Sequence, residues 1–117
     1  MLLQAYANGV FPMSNSASDP DIFWVEPKYR GIFPLDGFHL SRSAKRAMRQ
    51  HPPIVKVNNN FNEIVSACAN RSETWINAPI KSLYNQLHQS GFAHSIAVYD
   101  QQGKLFGGVY GLSLIHI

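Results

Sequence analysis

Cysteine is almost absent from this chain of 117 residues: Cys68 is the only one, so no disulfide can form within the chain. No apolar run is long enough to span a bilayer, and the N-terminus lacks the charged segment that opens a secretory signal. These absences exclude a domain stapled by disulfides and argue against a membrane partner. The sequence therefore predicts a cytoplasmic protein.

Charge is also scarce, because charged residues make up 15% of the chain against 45% apolar residues. Such a composition excludes a disordered chain and predicts a packed core, in one domain or part of one. The charge is unevenly placed. Residues 28–56 hold seven basic residues against one acidic residue, net +6, and the remainder is net −3. This asymmetry indicates a partner that carries phosphates.

A basic helix is predicted within residues 38–51. Ser41 is a natural N-cap, Pro52 and Pro53 terminate the helix, and about three turns fit between these two signals. The cations of the helix have no acidic neighbour in this segment: Arg42, Lys45, Arg46 and Arg49. Like charges four residues apart weaken an isolated helix by about 0.2–0.5 kcal/mol a pair. The pattern favours contact with a polyanion, and a solvated basic face is the alternative.

Other signals predict the remaining elements up to residue 69. Residues 1–8 read as a helix with Gly9 as its C-cap, residues 22–25 as a buried strand, and residues 31–35 as a short extended piece. Residues 54–58 alternate like a strand. Asn60 and Glu63 resemble a capping box at the start of a helix that runs to about Ala69, with Cys68 as an inert thiol on its apolar face.

The second half predicts one more helix and a hairpin. Asn77 is its expected N-cap, Pro79 lies in its first turn, and Gly91 ends it. Residues 95–99 and 105–114 then read as antiparallel strands around a turn at 100–103. The order after residue 28 is roughly βαβααββ, which indicates an α/β (α+β) fold. For both Trp75 and Tyr84, two interpretations stay open at this point: a packing role in the core of such a fold, or a role in a binding site.

Two site types find no support in the residues. The five histidines show no metal-ligand spacing with one another or with Cys68, so no metal site is expected. Gly107 and Gly108 lie in a strand pattern with no lysine and no helix after them, which excludes a P-loop.

Collinear motifs over nearly the whole chain resemble the bacterial leucyl/phenylalanyl-tRNA–protein transferases. The motifs are LLQAYANGVFPM, IFWVEPKYRGIFP, FHLSRSAKR, ETWINAPI, YNQLHQSGFAHSIAVY and LFGGVYG. The resemblance implies transfer of leucine or phenylalanine from aminoacyl-tRNA to proteins that begin with Arg or Lys, which marks them for degradation. It implies no metal or bound cofactor. It also implies a remnant of a small N-terminal domain, residues 1–28, and the first part of an N-acetyltransferase-like domain, residues 29–117, with a mixed, largely antiparallel sheet.

The resemblance carries functional roles to individual positions. Trp75 matches a tryptophan of the amino-acid pocket, and Tyr84 a tyrosine near the aminoacyl-adenosine. Met13 stands where many members have tryptophan, and Val109 where some have a methionine that lines the side-chain pocket. The basic helix, with Arg42 and Arg46 as direct matches and Lys45 and Arg49 beside them, implies contact with the acceptor stem. An apolar pocket of this kind is expected to discriminate poorly against methionine.

The chain departs from the family pattern at both ends. The segment that holds the family's catalytic residues has no counterpart here, so those residues are expected beyond residue 117, and residues 115–117 do not fit the pattern. The strand from Leu105 is therefore expected to form an exposed apolar edge, and the chain as given to have little or no activity. A noncatalytic RNA-binding module is the main alternative. An acetyl-CoA-dependent acetyltransferase is less favoured, because residues 100–108 lack a pyrophosphate loop that opens a helix.

Overall fold

The computed structural model describes residues 2–115, and these residues form helices and antiparallel strands. The elements in chain order are α1 (Leu2–Ala7), β1 (Phe11–Met13), β2 (Phe23–Val25), α2 (Arg42–Gln50), β3 (Ile54–Val57), α3 (Phe61–Ala69), α4 (Ala78–Gln89), β4 (Ala93–Tyr99) and β5 (Leu105–Leu112). The predicted α/β class is confirmed. Residue 1 of the predicted first helix and residues 116 and 117 of the segment 115–117 lie outside the described residues.

A three-stranded sheet in the order β3-β4-β5 forms the centre of the fold, and both of its strand pairs are antiparallel. Ile96 of β4 lies between Val57 of β3 and Val109 of β5. The predicted hairpin is confirmed, with the Asp100 side chain accepting hydrogen bonds from two backbone amides of its turn. In the described residues β5 pairs with β4 alone, so the predicted exposed edge is confirmed.

The core lies on the face of the sheet that α3 and α4 cover. Ile64 of α3, Ile80 of α4, and Ala93 and Ala97 of β4 are all buried there. Gly108 of β5 leaves room for Ile64, because a Cβ atom built there would lie 3.2 Å from Cδ1 of Ile64. Small residues on the strands thus let the branched residues of α3 approach the sheet closely.

The N-terminal residues are joined to this core rather than separate from it. Leu2 of α1 is buried in the same apolar cluster. After β1, the backbone amide of Ser14 donates to the carbonyl of Trp75 at 2.9 Å. The buried Asn77 side chain caps α4 at Ile80 and donates to the carbonyls of Asp19 and Asp21 at 2.9 and 3.2 Å. A single side chain therefore orders the start of α4 and the loop before β2.

The basic helix α2 forms as predicted but buries none of its side chains. The hydroxyl of Ser41 accepts a hydrogen bond from the Ala44 amide at 3.2 Å, which confirms the predicted N-cap. A helix of nine residues without buried contacts depends on its cap and its local hydrogen bonds.

Several predicted elements differ in the structure. The strand predicted as buried is β2, but Phe23 is 43% and Trp24 46% exposed, because β2 pairs only with the three-residue β1. Residues 31–35 form no strand, and a turn from Pro34 to Gly37 stands there instead. β5 ends at Leu112 rather than at residue 114. No helix in residues 2–115 is long and apolar enough to cross a membrane.

The predicted capping box at α3 is also wrong. Asn60 precedes the helix in the left-handed region, with φ of 58°, and its side chain makes no capping hydrogen bond. Asn58 is left-handed as well. Its side chain instead accepts from the Ser95 amide at 2.9 Å and contacts Nδ1 of His94 at 2.9 Å. Asn58 and Asn60 thus turn the chain from β3 into α3. Asparagine also favours N-cap positions, so the sequence alone does not distinguish these two roles.

Candidate active-site cavity

A cavity of about 810 Å³ opens where α1, α4 and the edge of β5 meet. It brings together three of the four residues predicted for the amino-acid pocket: Trp75, Tyr84 and Val109. Residues that the sequence analysis did not single out complete much of the wall: Tyr6, Phe11, Arg30, Phe33, Arg71 and Tyr110. Aromatic rings therefore line much of this space, with two arginines at its border.

Trp75 is held at the cavity by the segment that precedes α4. Its carbonyl accepts the Ser14 amide, and the next residue, Ile76, is buried and donates its amide to Oγ1 of Thr74 at 3.2 Å. Asn77 then fixes the start of the helix. The Trp75 ring itself is half-buried and packs against the core. One face of the ring can therefore serve packing while the rest borders the cavity.

Tyr84, which is buried, and Tyr110, which is half-buried, form an aromatic pair in the cavity wall. Tyr84 is buried on α4, and its ring contacts that of Tyr110 edge to face with centroids 5.4 Å apart. Burial, and to a lesser extent Tyr6, raises the pKa of the Tyr84 phenol. Burial also raises the pKa of Tyr110, with further contributions from Tyr84 and Cys68. Both phenols stay neutral at physiological pH, so this wall suits an uncharged side chain.

The Tyr110 hydroxyl is buried and has no hydrogen-bond partner within the described residues. The Tyr6 hydroxyl, by contrast, donates to the carbonyl of Leu112 at 3.2 Å, which ties α1 to the end of β5. A simple signal could have identified Tyr110: it follows Val109 in a strand, so the two side chains must point to opposite faces.

Val109 borders the cavity at its rim, and the pleat directs its side chain away from Tyr110. It lies in register with Ile96 and, across β4, with Val57, on the sheet face that no described helix covers. These three residues also border a second cavity of about 550 Å³. The residue in β5 that faces the buried wall is therefore Tyr110.

Met13 is not among the residues that line the cavity. It ends β1 opposite Phe23 and is half-buried. Its neighbour Ser14 nevertheless bonds to Trp75, so Met13 lies one residue from the cavity segment. Phe11, two residues earlier and on the same side of β1, borders the cavity instead.

The predicted cations of α2 are all solvent-accessible: Arg42, Lys45, Arg46 and Arg49. No acidic residue lies on this helix. The chain that leads to it starts at the cavity, because Arg30 and Phe33 border that space and α2 begins at Arg42. A basic surface and an aromatic cavity are thus joined by one short segment.

Cys68 is half-buried at the cavity border, and burial raises the pKa of its thiol. A neutral thiol is a poor nucleophile, which agrees with the predicted inert role. Within residues 2–115, no group of three or more histidine, cysteine or acidic side chains could hold a metal ion.

Comparison with known families gives two adjoining matches. Residues 32–117 match the family described as leucyl/phenylalanyl-tRNA protein transferase, and residues 1–28 match the N-terminal domain of the same description. Proteins named leucyl/phenylalanyl-tRNA–protein transferase from Ruegeria sp., Cereibacter sphaeroides and Ruegeria pomeroyi are 54%, 53% and 50% identical over 114 residues. These matches cover 97% of this chain and 53–54% of the relatives. The chain thus spans about half the length of the curated relatives it matches.

Proposed function

The chain belongs to the leucyl/phenylalanyl-tRNA protein transferase family, and we propose that it provides the part of such an enzyme that binds the aminoacyl end of the tRNA. The complete polypeptide would transfer leucine or phenylalanine from aminoacyl-tRNA to the N-terminal Arg or Lys of a protein and so mark it for degradation. The observation that carries this proposal is the aromatic cavity of Trp75 and Tyr84, joined by one segment to the basic helix α2.

The cavity suits the amino acid because of its apolar wall. Burial of a leucine or phenylalanine side chain contributes about 1.5–3 kcal/mol, and a charged side chain would lose its hydration against the neutral phenols of Tyr84 and Tyr110. Methionine, similar in size and polarity, would be accepted nearly as well. Tyr84 would lie beside the terminal adenosine, where a base–aromatic contact is worth about 1–3 kcal/mol.

The basic helix suits the acceptor stem, because double-stranded RNA offers phosphates and 2′-hydroxyls more than readable base edges. Four accessible cations without acidic neighbours would contact phosphates without regard to sequence. This fits an enzyme that accepts more than one tRNA. Residues 1–28, which match the N-terminal domain of the family, would be the remnant of a small N-terminal domain that packs against the rest of the chain.

Catalysis itself would rest on positioning. An aminoacyl ester is already activated, so an amine held against its carbonyl needs no metal or cofactor. We propose that the groups that hold the amine lie in the half of the relatives' length that this chain does not span. The chain of 117 residues would therefore bind the aminoacyl end and show little or no transfer.

The test is binding of a short RNA acceptor minihelix charged with phenylalanine through a stable amide, compared with the same RNA charged with aspartate. We expect at least tenfold tighter binding of the phenylalanyl RNA. Trp75→Ala should remove most of this preference. Trp24→Ala is the matched control, since Trp24 is the other tryptophan and does not border the cavity. Equal affinity for both charged RNAs would contradict the role of the cavity.

That same result would favour the second candidate, a noncatalytic RNA-binding module. The accessible cations of α2 support it, since they could hold an RNA backbone without any amino-acid pocket. In that case affinity would depend steeply on salt and not at all on the esterified amino acid.

A further inference from the structure

Residues 30–41 connect the cavity to the basic helix, and their path is set by two contacts. At the start, the Arg30 guanidinium donates to the carbonyl of Gly9, at the cavity border. Further along the chain, the Gly37 amide donates to the Pro34 carbonyl at 3.2 Å, which closes a turn. This turn folds the chain back, so that the residues on either side of it meet.

Those two residues are Phe33 and Phe38, and they form an exposed aromatic pair. Their ring centroids are 6.0 Å apart and their planes meet at 61°. Phe33 is 82% and Phe38 68% exposed, so both rings present large faces to solvent. A single exposed apolar residue needs no explanation, but two adjacent rings in a fixed mutual geometry form a surface that a flat apolar group can cover.

The position of the Phe33–Phe38 pair limits the kind of ligand that can cover it. Phe33 borders the cavity, and Arg42 follows Phe38 by four residues, a span of at most about 14 Å. A ligand that reaches from the cavity across the pair to α2 must offer flat apolar faces and then negative charges. An unpaired nucleic-acid strand has both, because each nucleotide joins a base to a phosphate. An apolar peptide lacks the phosphates that the cations of α2 would bind.

We propose that Phe33 and Phe38 form a stacking platform for the unpaired RNA bases that precede the terminal adenosine. This rests on the proposed function, in which the cavity holds the terminal aminoacyl-adenosine and α2 holds the stem. The platform would guide the single strand from the helix to the cavity. Because every base has a stacking face, the contact would tolerate any sequence at these positions.

The experiment compares two uncharged RNA minihelices with the same duplex: one with a four-nucleotide single-stranded 3′ extension and one with blunt ends. Affinities would be measured by fluorescence anisotropy with the intact chain. We expect the extended RNA to bind about fivefold or more tightly than the blunt one. The double variant Phe33→Leu/Phe38→Leu should strongly lower this ratio through weaker binding of the extended RNA, because leucine keeps the apolar bulk and loses the aromatic face.

Tyr29→Leu is the matched control, since Tyr29 is 93% exposed, directly precedes the segment and lies outside the pair. It should leave the ratio intact. A ratio that is the same in the double variant as in the parent overturns the platform. So does a double variant that loses binding to vesicles of 30% phosphatidylserine while its preference for the extended RNA persists, because the pair would then contact a membrane surface. Absence of binding to either RNA would instead overturn the proposed function itself, so the two failures are distinguishable.

Discussion

The ring of Tyr110 on β5 contacts the ring of Tyr84 on α4 edge to face, with centroids 5.4 Å apart. Tyr110 also meets Phe61 of α3 edge to face at 5.9 Å. One residue of the sheet thus joins both covering helices at the wall of the cavity. Because these rings are shared by the core and the cavity, changes to the binding wall are also changes to stability.

Alkaline pH should destabilise the fold through this pair. The ordinary pKa of tyrosine is 10.0, and burial raises that of Tyr110 in the folded state. The raised value means that the unfolded chain loses its proton first, so the free energy of unfolding falls as pH rises above about 10 and is unaffected below about 9. Urea unfolding at pH 8, 9, 10 and 11 would measure this fall.

Tyr110→Phe removes the ionisable hydroxyl and should make that fall smaller, whereas its unfolding free energy at pH 8 should change by less than about 1.5 kcal/mol because its ring is kept. An identical pH dependence in the variant and the parent would show that Tyr110 does not contribute to alkaline destabilisation.

Asn77→Ala should cost about 2–4 kcal/mol of unfolding free energy. The change removes the cap of α4 and leaves two loop carbonyls, those of Asp19 and Asp21, without their donor. Asn77→Asp keeps an acceptor for the cap but loses both donated bonds, so it should also destabilise the fold. Urea unfolding at pH 7 would measure both variants. If Asn77→Asp were as stable as the parent, the cap of α4 would contribute to stability and the two donated bonds would not.

Ser41→Ala tests the N-cap of a helix that contributes no buried side chain to the core. It should lower the helicity of α2 measured by circular dichroism, yet change the global unfolding free energy by less than about 0.5 kcal/mol, because α2 buries no side chain. A loss of global stability as large as that of Asn77→Ala would contradict the view that α2 is energetically separate from the core.

Gly108→Ala should destabilise the sheet by about 1–3 kcal/mol through overpacking. The added Cβ atom would lie 3.1 Å from the Ile96 carbonyl oxygen and 3.2 Å from Cδ1 of Ile64. Gly107→Ala is the control, since its Cβ would meet nothing nearer than 3.9 Å. Adding Ile64→Val to Gly108→Ala removes the crowded Cδ1 and should restore part of the stability. Thermal unfolding of the parent, both single glycine variants, Ile64→Val alone and the double variant measures this coupling, and strict additivity would argue against the close contact.

Arg46→Gln should weaken tRNA binding without affecting the fold. Loss of one phosphate contact should lower the slope of log affinity against log salt by about 1. The same change at Arg71, which lies outside α2 and borders the cavity, should leave this slope nearly unaltered. Titration at several salt concentrations provides the measurement, and an unchanged slope in Arg46→Gln would place the RNA elsewhere.

The features predicted well from the sequence are those whose cause is local. Ser41 and Asn77 cap the helices that begin after them, since a side-chain oxygen three residues before a free amide is enough. The apolar spacing of α3 and the turn between β4 and β5 are equally local signals. The motifs shared with the family single out Trp75 and Tyr84, which the fold brings to one cavity.

The wrong predictions concern effects that arise between distant segments. Asn60 fails as a side-chain cap because the turn from β3 requires a left-handed backbone there. Trp24 is half-exposed rather than buried, because its strand β2 pairs only with β1. The type of a residue does not reveal how many strands pair with its own. Val109 borders the cavity as predicted, but only its register with Ile96 reveals that its side chain lies on the sheet face that no described helix covers.

The absence of buried side chains on α2 has a consequence for how the protein can diverge. Where binding residues also support the core, as Tyr84 and Tyr110 do, a change that improves recognition lowers stability. Here the cations can be exchanged, added or removed while the packing of α3 and α4 against the sheet is untouched. The proposed affinity for RNA can therefore be changed on this helix with little loss of thermal stability.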